Sequence, residues 1–216
     1  MNIAENTIKL LQEIPYHVKL VAVSKTKSNE EIMEAYHAGQ RIFGENKIQD
    51  MVAKYKSLPK DIRWHMIGHV QSNKVKYMAS FVDLIHGVDS LKLFKEINKH
   101  ALKNNRHIRC LLQLDITEES TKFGFSEEEA LEALTFSEKL ENVEVIGLMG
   151  IATFTDNKDQ ITNEFKGLKR FYDQLCIHYT KMTTLSTGMS GDYPLAIAQG
   201  SNMIRVGSKI FGTRNY

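Results

Sequence analysis

Eight short β-like runs, each followed by a longer stretch with helical spacing, set the tightest limit on what this chain can fold into. The runs are KLVAVSK (19–25), RIFGE (41–45), RWHMIG (63–68), LIHGVD (84–89), IRCLLQLD (108–115), VEVIGLMGIA (143–152), MTTLSTG (182–188) and MIRVGSKIFG (203–212). Several are apolar at successive rather than alternate positions, as parallel strands covered on both faces are. The intervening stretches carry helix signals. Ser28 with Glu31, and Ser126 with Glu129, have the spacing of a capping box, and Gly39 stands where a helix-ending glycine belongs. Asp89 and Ser90 are candidate caps for 91–105, and Asp192 precedes a short helix ending near Gly200. Over 156–179, Ile161, Phe165, Leu168, Phe171, Tyr172 and Leu175 form a helical apolar stripe. An extra amphipathic helix opens the chain, with Ile3, Thr7, Leu10, Leu11 and Ile14 near helical spacing. The segment 68–83 mixes signals and predicts a helix only weakly.

Eight strand–helix units predict an α/β protein, a single (β/α)8 TIM barrel occupying residues 1–216 as one domain. An open doubly wound sheet is the competitor, but no G-x-G-x-x-G follows the first run. The 216 residues suffice for one barrel. The net charge is only +2 and the basic residues are dispersed, which argues against a nucleic-acid partner. No apolar run approaches the ~20 residues that span a bilayer. The first residues lack the basic and apolar segments of a signal peptide, so a cytoplasmic protein without a membrane partner is expected. Cys110 and Cys176 fit that compartment as free thiols.

In such a barrel the site is built where the strands end. Strand seven is followed by STGMSG, with Ser186, Gly188, Ser190 and Gly191, and strand eight carries Gly207 and Ser208. Glycines let backbone amides approach an anion and hydroxyls add donors, so adjacent clusters at strands seven and eight point to phosphate. The plainer alternative is a pair of ordinary turns. Lys25 closes strand one. A lysine in an apolar mouth loses proton affinity and becomes an amine able to attack a carbonyl. By default it is a solvated lysine, as Lys27 is read to be. With a phosphate cradle across the barrel, a phosphorylated aldehyde or ketone becomes the ligand class: pyridoxal 5′-phosphate or a sugar phosphate. Arg205 lies mid-strand and needs an acceptor if it points inward. It either faces a pyridine nitrogen or pairs with Glu45 or Asp115. His65 and His69 mimic a zincin pair, but Met66 follows the first histidine and the segment reads as a strand end. No metal is expected there, and His65 reads as a strand-end polar residue facing the pocket or satisfied in the core.

The motifs VAVSKTK, FGENKIQD, WHMIGHVQSNK, STKFGF, GLMGIA, LSTGMSGD and MIRVGSKIFGTRNY, in order from about residue 19 to 216, resemble the pyridoxal phosphate homeostasis protein family, also called the YggS/PROSC family. The resemblance implies a barrel like the N-terminal domain of alanine racemase. It also implies a pyridoxal 5′-phosphate-binding protein with a role in intracellular vitamin B6 homeostasis and without catalytic turnover, with apo forms of enzymes that use the cofactor as possible recipients. It assigns Lys25 as the covalent aldimine lysine and Arg205 as the partner of the pyridine nitrogen. Ser190, Gly207, Ser208 and the backbone near Met189 take the phosphate region. Asn46, His65 and Met149 line the ring, with Ser186 beside them. Thr187 and Gly150 depart from residues common in the family. The alternative is an amino-acid racemase dependent on the same cofactor. That reaction needs a second base from a separate β domain, and the chain ends at Tyr216 just after the last expected strand, so the non-catalytic reading is expected. A Schiff-base aldolase acting on a sugar phosphate is the third reading.

Overall fold

The computed structural model describes residues 2–117 and 123–212. Parts of two motifs, residues 120–122 of STKFGF and 213–216 of the last, lie outside the described residues, as does Tyr216.

The chain forms eight parallel strands closed into a barrel in sequence order. They are β1 Lys19–Val23, β2 Ile42–Glu45, β3 Arg63–Met66, β4 Leu84–Val88, β5 Ile108–Leu114, β6 Val143–Gly150, β7 Thr184–Ser186 and β8 Met203–Val206. Closure comes from β8 lying beside β1, with Leu20 opposite Ile204 and Val21 opposite Arg205. The helices are α1 Ile3–Glu13, α2 Asn29–His37, α3 Ile48–Ser57, α4 Leu91–Lys103, α5 Glu127–Ser137, α6 Lys158–His178, α7 Tyr193–Ala198 and α8 Ser208–Phe211, with a 3-10 helix at Ser72–Tyr77.

Strand residues sort by alternation into two layers. Val21, Ile42, Leu84, Leu111, Met149 and Met203 form a cluster of their own inside the barrel. Residues one position along, such as Ala22, Phe43, Trp64, Ile85, Leu148 and Ile204, join the larger core beneath the helices. Both expected capping boxes are present, at Ser28 with Glu31 and at Ser126 with Glu129. Gly39 has φ 103, the left-handed conformation that ends a helix at low cost in glycine.

Some expectations shift. Leu11 is 36% exposed, while Ile3, Thr7, Leu10 and Ile14 are buried. Ser90 alone caps α4, because Asp89 is hydrogen-bonded to His69 instead. Asn157 caps α6, its side-chain oxygen accepting from the amides of Asp159 and Gln160. The segment 68–83 contributes only the 3-10 helix, although Val70, Val75, Met78, Ala79 and Val82 are all buried. The run MIRVGSKIFG stops being a strand at Val206. Gly207 donates its N–H to Ser190 Oγ at 3.1 Å rather than to a neighbouring strand, and α8 starts at Ser208.

Candidate functional site

Strand β1 ends in a tightly tied turn. Ser24 carbonyl accepts from the Lys27 amide at 3.0 Å and from Lys54 Nζ at 2.8 Å. Ser24 Oγ donates to Glu45 Oε1 at 2.6 Å, and Lys54 Nζ donates to the same oxygen at 2.7 Å. Glu45 points outward from β2, toward α3, and is wholly buried. Burial raises its carboxyl affinity for protons, against the hydrogen bonds from Lys54 and Ser24. Lys25 and Thr26 are the middle of this turn, and Thr26 has φ 66. A β-branched residue in the left-handed region is strained and persists only where its surroundings over-determine it. Here those surroundings fix the backbone that presents Lys25.

A cleft of about 410 Å³ opens beside that turn, between the ends of β1 and β8 and the loop after β7. Its wall includes Lys25, Met189, Ser190, Arg205, Gly207 and Ser208. The loops after β7 and β8 are tied together by the bond from the Gly207 amide to Ser190 Oγ. Gly188, with φ 93, turns the chain so that its carbonyl accepts the Arg205 amide at 2.9 Å. A side chain there would lie 2.6 Å from Ala196 Cβ, so glycine is needed both for the angle and for the approach of α7. The Met189 amide is bonded to Asp192 Oδ1. Lys27, expected at the surface, is instead anchored: its Nζ donates to Glu31 at 2.9 Å and to the Phe211 carbonyl at 3.1 Å, which holds α8 against the turn.

Arg205 points into the barrel and is 4% exposed. One terminal nitrogen donates to the Ser186 carbonyl at 2.8 Å and to Ser186 Oγ at 2.7 Å; the other donates to the Gly150 carbonyl at 2.9 Å. Neither Glu45 nor Asp115 is its partner. Burial pushes its pKa down to about 10, partly opposed by Asp192, so it remains a cation at neutral pH. A guanidinium carries more N–H donors than these three bonds use, which leaves some for a ligand in the cleft. A side chain at Gly150 would collide with Leu168 and Ile116, which pack against β6 at that point.

The other expected residues stand elsewhere. Asn46 borders a separate hollow with Lys47, Gln71 and Lys74. Met149 is fully buried in the interior cluster. Ser186 is buried behind Arg205. His65 turns into the barrel, where its Nδ1 meets His86 Nε2 at 2.9 Å and its Nε2 meets Asp83 at 3.2 Å. His69 faces Asp89 instead, so the two histidines do not converge. Sequence reasoning missed His86, although it sits two residues after inward-facing Leu84 and alternation alone would have placed it inside. It also missed Glu45 with Lys54 as the clamp on the Lys25 turn, a contact between a strand end and the next helix that no local pattern announces.

A larger hollow, about 640 Å³, lies at the ends of β5 and β6. It is lined by Asp115, Glu127, Asp159 and Glu164, carboxylates that would repel a phosphate. Chemistry therefore favours the smaller cleft.

A model of the alanine racemase N-terminal domain matches residues 1–215. A pyridoxal phosphate homeostasis protein from Aquifex aeolicus is 38% identical over 200 residues, covering 92% of this chain and 88% of that protein. Its counterpart in Helicobacter pylori is 41% identical over 197 residues, covering 90% and 87%. The chain belongs to the pyridoxal phosphate homeostasis protein family. Among solved structures, PipY of Synechococcus elongatus with its cofactor bound matches with TM-score 0.89 and 36% identity, over 97% of this chain and all of that one. Alanine racemase from Clostridium difficile shares the fold at TM-score 0.83 and 17% identity, this chain spanning 60% of its length. Fold and family thus agree with the sequence reading. Among the described residues, no helix is long and apolar enough to cross a membrane.

Proposed function

We propose that this chain binds pyridoxal 5′-phosphate in the cleft between β1 and β8, with Lys25 Nζ bonded covalently to the cofactor's aldehyde carbon, and that it serves vitamin B6 homeostasis in the cytoplasm without catalytic turnover. The observation that carries the reading is the joint placement of Lys25, a buried cationic Arg205 and the Ser190–Gly207–Ser208 rim on one wall. The residues fit the group. The cleft volume falls within the roughly 300–1,000 Å³ usual for small-molecule sites. Gly207 keeps the rim low, since a Cβ there would already lie 3.3 Å from Val23. The hydroxyls of Ser190 and Ser208 would hold the anionic end. Arg205 supplies a fixed cation for the ring nitrogen. That PipY is solved with PLP bound supports the choice of ligand.

When bound, the cofactor supplies an electrophilic aldehyde and a conjugated ring. The protein's part is to present the Lys25 amine from a strained, clamped turn and to hold Arg205 where the ring nitrogen would otherwise take a proton. A ring so held would be a weaker electron sink than one with a protonated nitrogen. Among the described residues lining the cleft, none is a tyrosine, histidine or carboxylate that could serve as a second base. Titration with pyridoxal 5′-phosphate tests the reading. The expected result is a saturable visible band in the wild type that is absent in Lys25→Ala. No band in the wild type contradicts it. For the racemase alternative, the loaded protein in deuterated water with single-enantiomer amino acids is expected to leave Cα unlabelled; enzyme-like exchange would favour the racemase.

A further inference from the structure

Four polar side chains inside the barrel have no place in that reading as wall residues, yet they touch one another in a line. Asp83 precedes β4, at the end of the barrel away from the cleft. Its Oδ2 lies 3.2 Å from His65 Nε2 on β3. His65 Nδ1 lies 2.9 Å from His86 Nε2 on β4, and His86 Nδ1 lies 3.1 Å from Ser186 Oγ on β7. Ser186 Oγ is 2.7 Å from Arg205 on β8. Since β4 and β7 are not neighbours in the sheet, the contact from His86 to Ser186 crosses the lumen. His65, His86, Ser186 and Arg205 are each 4% exposed or less.

The hydrogens in this line have one consistent arrangement when both imidazoles are neutral. Arginine only donates, so Ser186 Oγ accepts from it and its own hydrogen goes to His86 Nδ1. A neutral His86 then carries its hydrogen on Nε2 and donates to His65 Nδ1. His65 in turn carries its hydrogen on Nε2 and donates to Asp83. From the far end, an ionised Asp83 only accepts, which requires the same direction at every step. Burial keeps both imidazoles below their ordinary pKa; for His86 a proton on His65 would lower it further, and the Arg205 charge adds to the effect. Burial would raise Asp83, but His65 and Arg109, the latter at 2.6 Å, outweigh it and hold the carboxyl at about 2. The other charged groups acting on the line are Arg63 and Asp192.

The geometry points to Asp83, His65, His86 and Ser186 as positioning residues for Arg205: a one-way hydrogen-bond chain through the barrel that fixes the guanidinium toward the cleft. Resting on the cofactor assignment above for its use, the chain is a property of the protein without ligand and is testable there. An alternative direction exists. One extra proton on His65 would reverse both histidine bonds, and Ser186 would then accept from both sides, leaving its hydrogen without a role in the chain.

The test begins with the 15N-labelled protein without cofactor, using long-range imidazole spectra at about neutral pH. Both His65 and His86 are expected neutral with hydrogen on Nε2. An imidazolium, or hydrogen on Nδ1 of either ring, overturns the chain. The Arg205 side-chain hydrogens are expected to exchange slowly, and about tenfold faster in Ser186→Ala and in His86→Leu; unchanged exchange in both, with the fold intact by circular dichroism, overturns the positioning role. With cofactor, both variants should still be labelled at Lys25 on borohydride reduction but bind about tenfold more weakly with a shifted visible band. His69→Leu, outside the chain, should change neither. Wild-type affinity and spectrum in both variants count against the proposal. A wild type that binds no cofactor contradicts the function proposed above, while the tautomers and exchange rates still decide the chain.

Discussion

Arg205 and Glu45 are both buried charges at the cleft end of the barrel, on opposite sides of its wall. Arg205 lies inside, held by a hydroxyl and two carbonyls, all neutral. Glu45 lies outside, between the wall and α3, paired directly with Lys54. Its Oε2 has no hydrogen-bond partner among the described residues. A cation held by dipoles keeps its charge and part of its donor set for a ligand. A carboxylate matched by a lysine is spent internally, and what it provides is rigidity, since the same pair clamps Ser24 beside Lys25. On the proposed reading, the inner charge serves binding and the outer one the presentation of the lysine.

The contrast is broken most sharply by removing one member of each arrangement. Lys54→Ala strands a buried carboxylate, and unpairing such a site costs about 3–5 kcal/mol. Urea unfolding should show a loss of that size; a loss of a few tenths would mean the pair is solvated. Arg205→Leu should cost less stability, about 1–3 kcal/mol for carbonyls left without donors, but should reduce cofactor affinity by about a hundredfold or more. Equal effects of the two variants on affinity would erase the distinction drawn here.

Acid pH probes the interior side. His65 and His86 have folded pKa values below their unfolded ones, so the unfolded chain takes protons first as pH falls. The stability they confer is present above about pH 6.5 and is lost as pH drops toward the folded values, by at most about 1.4 kcal/mol per imidazole per pH unit. Glu45 runs the other way: its raised carboxyl favours the fold at low pH, and that contribution disappears as pH rises through its folded value. Glu45 is common to both proteins when wild type is compared with His86→Gln. The variant should lose less stability between about pH 7 and about pH 5.5; identical slopes would show that His86 is not held neutral. The smallest effect is expected at Thr26→Gly, which relieves a left-handed β-branched residue at the price of a freer unfolded chain, for a net gain of at most about 1 kcal/mol in thermal unfolding. A clear loss there would show that the threonine side chain has a role beyond strain.

Much of this was legible in the residues. The eight runs gave the strands because parallel strands under helices are apolar at successive positions, and the capping boxes located two helix starts to the residue. Lys25 and Arg205 stand out in the sequence because each ends or interrupts an apolar run, and Ser190, Gly207 and Ser208 because serine and glycine cluster after two adjacent strands; the structure brings all five to one cleft wall. Of the two places open to His65 in the sequence, facing the pocket or satisfied in the core, the structure shows it bonded inside the barrel to His86 and Asp83; strand alternation gives the face a residue points to but not its depth along the lumen. Asn46 and Met149 were assigned by resemblance, and in this structure they occupy a neighbouring hollow and the interior cluster. The clamp of Glu45 and Lys54 and the crossing from His86 to Ser186 join residues on different elements, and only the closed barrel brings those together.

The central claim is that Lys25, and no other lysine near the cleft, bonds the cofactor. Protein loaded with pyridoxal 5′-phosphate, reduced with borohydride and mapped by peptide mass spectrometry, tests it directly. The account predicts a stoichiometric adduct on Lys25 with Lys27 and Lys54 unmodified. An adduct centred on Lys27 or Lys54, or none on any residue, would contradict it.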